Sequence, residues 1–174
     1  RQEVESLGAK FVGFVPADAA TSGGYARPLT PEEQAEQARM VAEHIKSQDI
    51  VVPTAQSPGR KAPRIVTADM VASMKAGSVV LDLAVESGGN VEGSVPGEVV
   101  ETANGVKIVG HRNLPSRVAP AASPLFAKNL LNFVGLLVDA KTKEVVINLD
   151  DELVAGTLLT KDGRIVHPNF QAQA

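Results

Sequence analysis

Residues Ser78–Asn90 read SVVLDLAVESGGN, and apolar side chains dominate the first half of this stretch. Val79–Leu81 and Leu83–Val85 show no alternation of apolar and polar positions. Such a run is typical of a strand buried on both faces, as in a parallel sheet covered by helices. The run ends at Glu86, and two glycines follow after Ser87. Because ligands of open α/β sheets bind outside the carboxyl ends of the strands, the stretch predicts a ligand site here.

The composition fits a globular protein of one domain, or of one domain with an appendage. The 174 residues are 44% apolar and 21% charged, with a formal net charge of −3 and no basic block, so nucleic acid is not an expected partner. The lack of cysteine excludes disulfides and thiolate ligands, and no histidine and acid cluster has metal-site spacing. No apolar run reaches the roughly 18 residues that span a bilayer, so we expect no direct membrane insertion.

The first half of the chain predicts alternating helices and strands. Thr30-Pro31 and Glu33 form a typical helix start, with an N-cap, a proline at the first helical position and a capping box. Apolar residues at helical spacing extend this helix to about Ser47. The other predicted elements are a helical turn over residues 2–7 ended by Gly8, a short buried strand at Phe11–Val15, a loop at Pro16–Leu29, a buried strand at Asp49–Pro53, and a short helix capped by Thr67.

The second half predicts further strands, a long helix and a C-terminal hairpin. Ser123-Pro124 predicts the start of a helix that runs to about Val138 and is apolar around most of its circumference. Such a helix must be buried, and this chain alone is not expected to supply enough apolar surface for that. Lys161-Asp162-Gly163 predicts a hairpin turn between Leu153–Leu159 and Arg164–His167. The remaining elements are a loop with hairpin character at Asn90–Gly105, a strand at Lys107–Gly110 and a strand-like alternation at Glu144–Leu149.

This order of elements predicts an α/β fold with a Rossmann-like doubly wound parallel sheet, followed by a long crossover helix and a β-hairpin. No G-x-G-x-x-G motif occurs, so the first βαβ unit with its Gly-rich, phosphate-binding turn is expected to be missing. The chain also starts within a helical pattern at Arg1, as expected for the second part of such a sheet.

Three stretches in order resemble one protein family. They are GGYARPL at Gly23–Leu29, VLDLAVESGGN at Val80–Asn90, and VGHRNLPSRVA with ASPLFAKNLLNF within Val109–Phe133. They resemble the NAD(H)-binding α component of the proton-translocating NAD(P) transhydrogenases. The wider relatives are alanine dehydrogenases, which carry an aspartate where this chain has Glu86.

The resemblance implies a division of the chain and a set of partners. Residues 1–122 are expected to be part of the NAD-binding domain, and residues 123–174 the long helix that returns to an N-terminal domain, followed by the hairpin. The implied partners are a second copy in a homodimer and the NADP(H)-binding and membrane-spanning components. The implied location is peripheral, at the cytoplasmic face of the inner membrane.

The resemblance also implies the reaction. NADH bound here passes a hydride directly to NADP⁺ on a partner domain, coupled to proton translocation. Because hydride transfer between two nicotinamides needs no side-chain nucleophile, no catalytic residue is expected. The protein would be an oxidoreductase component that is inactive as an isolated fragment.

The cofactor-binding residues implied by the resemblance come from three stretches. Gly24, Tyr25 and Ala26 match a mobile loop that closes over the nucleotide, with the alternative of an ordinary flexible loop. Gln37 matches a cofactor contact on the following helix, with the alternative of a solvated glutamine. No residue is implied as a metal ligand.

The remaining implied residues lie at strand ends. Ala55 and Gln56 are placed to touch the adenine or the ribose, with a plain turn as the alternative. Glu86 either holds the loop geometry or faces the nicotinamide amide, with a solvated acid as the alternative. Arg112, Asn113, Ser116 and Arg117 are expected near the nicotinamide end, with structural hydrogen bonding as the alternative to a positioning role.

Two other functions stay open at this point. The chain would also fit a fragment of an alanine dehydrogenase-like, NAD-dependent amino-acid dehydrogenase, although Glu86 and the GGYA loop argue against that interpretation. A non-catalytic module that dimerises through the hairpin without binding nucleotide is the third possibility.

Overall fold

The structure is a computed structural model that describes residues 2–13, 29–56 and 59–171. It divides into two compact units, Arg1–Leu114 and Pro115–Ala174. The elements of the first unit are α1 (Gln2–Ser6), α2 (Pro31–Ile45), β1 (Ile50–Val51), α3 (Ala68–Ala72), β2 (Val79–Leu81), a 3-10 helix (Val85–Ser87), β3 (Val99–Glu101) and β4 (Lys107–Val109). The predicted division at residues 122 and 123 stays a prediction.

Four short strands form the sheet of the first unit, in the order β1-β2-β4-β3. β2 pairs in parallel with β1 and with β4, and β3 pairs antiparallel with β4. The β3–β4 hairpin confirms the hairpin character predicted for Asn90–Gly105. The parallel pairing of β1, β2 and β4 places their carboxyl ends at one edge of the sheet.

The core of this unit lies against the middle of β2. Val80, Val91 and Val106 are fully buried, and each such valine contributes roughly 1.5–3 kcal/mol through the hydrophobic effect. Met70 and Val71 of α3 belong to the same cluster. The neighbouring residues of β2, Val79 and Leu81, are only half-buried, so the expected burial on both faces is complete for its central residue alone.

Local signals set the helix starts as predicted. In the capping box of α2, the Glu33 backbone N–H donates to Thr30 Oγ1 at 3.3 Å, and the Thr30 backbone N–H donates to Glu33 Oε2 at 2.8 Å. The Met70 backbone N–H donates to Thr67 Oγ1 at 3.3 Å and caps α3. Gly8 follows α1 with a φ of +78°, a left-handed conformation that glycine adopts without strain.

The second unit contains mainly helices. Its elements are α4 (Leu114–Arg117), which begins at the last residue of the first unit, α5 (Ala119–Leu136), α6 (Glu152–Thr157), β5 (Thr160–Lys161), β6 (Arg164–Ile165) and a 3-10 helix (Pro168–Phe170). The hairpin of β5 and β6 turns at Asp162 and Gly163, whose φ angles are +51° and +74°. Two left-handed residues in succession are typical of a type I′ turn, so the predicted turn is confirmed.

Several predicted boundaries are wrong. Ser123-Pro124 is not the start of the long helix, because α5 begins at Ala119 and Pro124 lies inside it. The Ala121 and Ala122 backbone N–H groups already donate to the Val118 carbonyl, and alanine is the strongest helix former. The predicted start of α5 is therefore wrong, and its long apolar run is helical. None of its residues is buried within this chain.

Three predicted strands are also wrong as far as the structure describes them. Leu153–Leu159 is largely helical, because Asp151 Oδ1 accepts the backbone N–H groups of Leu153 and Val154 and caps α6. Glu144–Leu149 forms one isolated bridge, between Val145 and Val138, and no strand. Of the strand predicted at Phe11–Val15, residues 11–13 are described and are not a strand, and the other two lie outside the described residues.

Across the described ranges, no helix combines the length and the apolar character that crossing a bilayer requires.

Candidate functional site

The strand-end loop, residues 82–91, follows β2 at the edge where the parallel strands end. The strand stops at Leu81, earlier than the apolar sequence predicts, and the next residue is an acid. Residues 52–56 after β1 and residues 110–113 after β4 leave the sheet at the same edge. Three predicted site residues, Ala55, Gln56 and Glu86, lie in these segments.

Asp82 is the buried centre of the strand-end loop. Its side chain is fully buried, and Oδ1 accepts the backbone N–H groups of Ala84 at 3.0 Å and Asn90 at 3.1 Å. Its Oδ2 accepts the backbone N–H of Val91 at 3.2 Å. Bonds to a charged acceptor are stronger than neutral ones, and a buried carboxylate requires such partners. One carboxylate therefore holds both ends of the loop.

Glycine is required at the far side of this loop. Gly88 and Gly89 have φ angles of +104° and +78°, which side-chain-bearing residues rarely adopt. A Cβ on Gly89 would lie 2.7 Å from Asp82 Oδ2, so a side chain there would displace the buried carboxylate. The two glycines are thus explained by the internal packing of the loop.

Two further side chains hold the loop against the segment that precedes α3. Asn90 is fully buried, and its Nδ2 donates to the carbonyl oxygens of Ala55 at 2.8 Å and Pro63 at 2.7 Å. The Arg64 guanidinium donates to the carbonyl of Val91 and, at 3.3 Å, to that of Gly88. The backbone after β1 is therefore joined to the loop after β2.

Gln56 makes a second link between the same two segments. Its Nε2 donates to the Leu83 carbonyl at 3.0 Å, and its side chain is exposed. Ala55 is half-buried, and its carbonyl accepts from Asn90. The structure therefore brings both predicted residues into contact with the strand-end loop.

Glu86 links the strand-end loop to the segment after β4. It lies in the 3-10 helix Val85–Ser87, is exposed, and its Oε2 accepts the backbone N–H of Asn113 at 2.9 Å. Asn113 has a φ of +47°, a left-handed conformation that asparagine tolerates better than most residues. All three strand ends are thus joined by hydrogen bonds that end on residues 82–91.

The other predicted residues lie elsewhere. Gln37 is exposed on α2, beside the ion pair of Glu36 with Arg39, whose oxygen and nitrogen are 2.7 Å apart. The hydrogen bond from Arg39 lowers the pKa of Glu36 below its ordinary value. Gly24, Tyr25 and Ala26 lie outside the described residues.

Sequence reasoning missed the buried centre. Apolar residues flank Asp82 and make it inconspicuous, although an acid that interrupts a buried strand needs partners and is itself a signal. Arg64 had no local signal, because its partners lie 24 and 27 residues away.

A cavity of about 940 Å³ lies elsewhere in the same unit. Residues 10–13, the second half of α2, Ser47 and Lys75 line it. Ser47 and Lys75 precede β1 and β2, so the cavity borders the amino ends of the strands, and none of the predicted residues lines it. Lys46 and Lys75 pair there with Glu43 and Asp49. The cavity therefore offers no support for the predicted site.

The carboxyl edge presents polar groups to solvent. The exposed Gln56 amide supplies donors and an acceptor suited to hydroxyl groups of a ligand. Within the described ranges, no group of three His, Cys, Asp or Glu residues is arranged to hold a metal ion.

Known proteins match nearly the whole chain. The family described as "Alanine dehydrogenase/PNT, C-terminal domain" matches residues 1–168. The first part of the NAD(P) transhydrogenase subunit alpha of Rhodospirillum rubrum is 51% identical over 176 residues, which is 99% of this chain and 46% of that protein.

Two solved structures are similar in fold. The crystal structure of transhydrogenase from Sinorhizobium meliloti matches with a TM-score of 0.69 and 48% identity, over 95% of this chain and 42% of that one. An L-alanine dehydrogenase matches with a TM-score of 0.58 and 30% identity, over 76% of this chain and 37% of that one. These matches confirm the predicted Rossmann-like α/β fold. The chain spans less than half the length of the relatives it matches.

Proposed function

The chain belongs to the alanine dehydrogenase/PNT family, and from that membership we propose that it is the NAD(H)-binding part of a proton-translocating NAD(P) transhydrogenase. The transhydrogenase relatives are more similar than the alanine dehydrogenases, with 51% against 32% identity in the first of each kind. This difference favours the transhydrogenase over the amino-acid dehydrogenase.

The observation that carries the proposal is the joining of three strand ends at the carboxyl edge of a parallel sheet. Ligands of open α/β sheets bind at this edge, and Ala55, Gln56 and Glu86 meet there. In the proposal, Ala55 and Gln56 contact the adenosine side of NAD(H). Gln37 and the loop of Gly24, Tyr25 and Ala26 complete the site from the preceding segment.

The proposed reaction moves a hydride from C4 of NADH to C4 of NADP⁺, which gives NAD⁺ and NADPH. No substrate proton is transferred, so this chain supplies binding, orientation and the exclusion of water, not an acid or a base. NADP(H) would be held by a partner domain. Coupled proton translocation would take place in a membrane-spanning component.

Partners are also part of the proposal. The side chains of Leu125, Phe126 and Leu131 on α5 are 63–70% exposed, and apolar surface of this kind is typical of an interface with another domain or subunit. We propose that the protein works as a homodimer, held by its partners at the cytoplasmic face of the inner membrane. α5 would pack on another domain of the longer protein.

A titration with NADH and with NADPH, followed by nucleotide fluorescence, tests the proposal. Saturable binding of NADH in preference to NADPH is the expected result. Tyr25→Ala is expected to weaken NADH binding about tenfold, because loss of an aromatic contact to the nucleotide costs roughly 1–1.5 kcal/mol.

Equal binding of both nucleotides, or binding of neither, would contradict the proposal. A dimer that binds neither would favour the dimerisation module. In the intact protein, oxidation of L-alanine without hydride transfer to NADP⁺ would favour the amino-acid dehydrogenase.

A further inference from the structure

The geometry points to Glu86 as a positioning residue that acts on the cofactor site through the backbone of Asn113, without touching the cofactor. This inference rests on the proposed function, because it assigns a role within the same site. It selects one of the two roles that the sequence leaves open for this acid.

The backbone of Glu86 is held from the buried side. Asp82 Oδ1 accepts the Ala84 N–H at 3.0 Å, and the Ala84 carbonyl accepts the N–H groups of Ser87 and Gly89, each at 2.9 Å. Glu86 lies inside this short 3-10 turn. Its Cα therefore has a fixed place relative to β2.

The segment after β4 is fixed at its beginning. The Gly110 N–H donates to the Glu98 carbonyl at 2.8 Å, and the Gly110 carbonyl accepts the Gly97 N–H at 2.7 Å. A Cβ on Gly110 would clash with the Val95 carbonyl oxygen, so the backbone is tightly packed there. The Glu86 bond to Asn113 holds the same segment three residues further on.

The Glu86 bond acts at a backbone position with left-handed geometry. The Asn113 φ of +47° is a conformation that most side-chain-bearing residues avoid, and a charge-assisted bond to its N–H offsets that cost. Without the bond, the left-handed backbone of Asn113 loses this charge-assisted contact. The bond therefore joins the ends of β2 and β4 in the arrangement that the site needs.

The proposal separates hydrogen-bond acceptance from charge. A glutamine at position 86 keeps a side-chain oxygen that accepts the Asn113 N–H, whereas an alanine keeps none. We expect Glu86→Gln to bind NADH within about twofold of the wild-type chain, and Glu86→Ala to bind about tenfold more weakly.

Glu92 provides a matched control. Its Oε2 accepts the Ala68 backbone N–H at 2.9 Å, so it is another exposed carboxylate bound to a backbone N–H, but at the start of α3. We expect Glu92→Ala to leave NADH affinity unchanged. A loss equal to that of Glu86→Ala would overturn the inference, because any lost carboxylate bond would then have the same effect.

The Asn113 amide gives a readout that does not depend on NADH. In ¹⁵N-resolved spectra of the nucleotide-free chain, we expect Glu86→Ala to shift the Asn113 resonance and speed its hydrogen exchange, and Glu86→Gln to preserve both. Equal loss of NADH affinity in Glu86→Gln and Glu86→Ala, with the Asn113 amide unchanged in the former, would show a direct contact through the charge and overturn the inference. If the Asn113 amide responds to the two Glu86 substitutions as expected but the wild-type chain binds no NADH, the proposed function is overturned, and this role with it.

Discussion

Asp82 in the first unit and Asp139 in the second both hold the chain through backbone N–H groups, but the stretches of chain that they hold differ in length. Both carboxylates accept backbone N–H groups that follow them in the chain. Asp82 is fully buried and reaches residues two, eight and nine positions ahead, whereas Asp139 is partly exposed and reaches Lys141 at 2.8 Å and Thr142 at 2.7 Å. Asp82 therefore organises a whole loop, and Asp139 a single turn.

The comparison shows that burial decides how much a hydrogen bond contributes to stability. An unsatisfied backbone N–H costs much more in a buried site than at the surface, where water replaces the lost partner. The buried carboxylate also fixes the two glycines and Asn90, and through them the ends of the neighbouring strands. The residues to which the exposed Asp139 carboxylate bonds do not in turn hold the ends of other strands.

Asp82→Ala is expected to have the largest effect on stability. It leaves three backbone N–H groups without their acceptor, which we expect to cost roughly 3–5 kcal/mol of the free energy of unfolding. Urea unfolding followed by circular dichroism measures this loss. A loss below about 1 kcal/mol would contradict the central role of Asp82.

Gly89→Ala is expected to cause the next largest loss of stability. Gly163→Ala is its matched control. Both glycines have φ near +75°, so both variants carry the cost of a left-handed alanine, roughly 1–2 kcal/mol. Only the Cβ at position 89 meets the Asp82 carboxylate, at 2.7 Å, while nothing lies within 4 Å at Gly163. We expect Gly89→Ala to lose at least about 1 kcal/mol more in the same urea experiment. Equal losses would show that the close packing around Asp82 is unimportant.

Asp139→Asn is expected to have the smallest effect, and one that depends on pH. The Thr142 and Lys141 backbone N–H groups lower the pKa of Asp139, so its charge stabilises the folded chain above the unfolded pKa. This contribution is lost as the pH falls through the lower, folded pKa. The variant should therefore melt slightly below the wild-type chain at pH 7, and the difference should vanish in strong acid. A difference that grows towards low pH would contradict this assignment.

Local signals predicted part of the fold. The capping box of Thr30 and Glu33 and the turn at Asp162-Gly163 depend on residues within four positions of one another, and both are confirmed. Ser123-Pro124 failed as a helix start because the alanines before it continue the helix equally well. Leu153–Leu159 failed because the Asp151 cap, not the apolar pattern, decides its conformation.

The site was predicted in outline only. Placing Gln56 and Glu86 at strand ends needs only the parallel arrangement of the sheet, which the apolar runs indicate. Their hydrogen bonds to Leu83 and Asn113 join residues 27 positions apart, and sequence periodicity carries no information on such pairs. The backbone N–H groups that bind Asp82 come together only when the loop is folded.

The most direct test of this account is a titration of the ¹⁵N-labelled chain with NADH, followed residue by residue. We expect saturable shifts in the amides of residues 54–56, 83–89 and 111–113, at the carboxyl ends of β1, β2 and β4. Shifts confined to Lys10, Lys46 and Lys75, around the cavity at the amino ends of the strands, would contradict the account, as would a spectrum that NADH leaves unchanged.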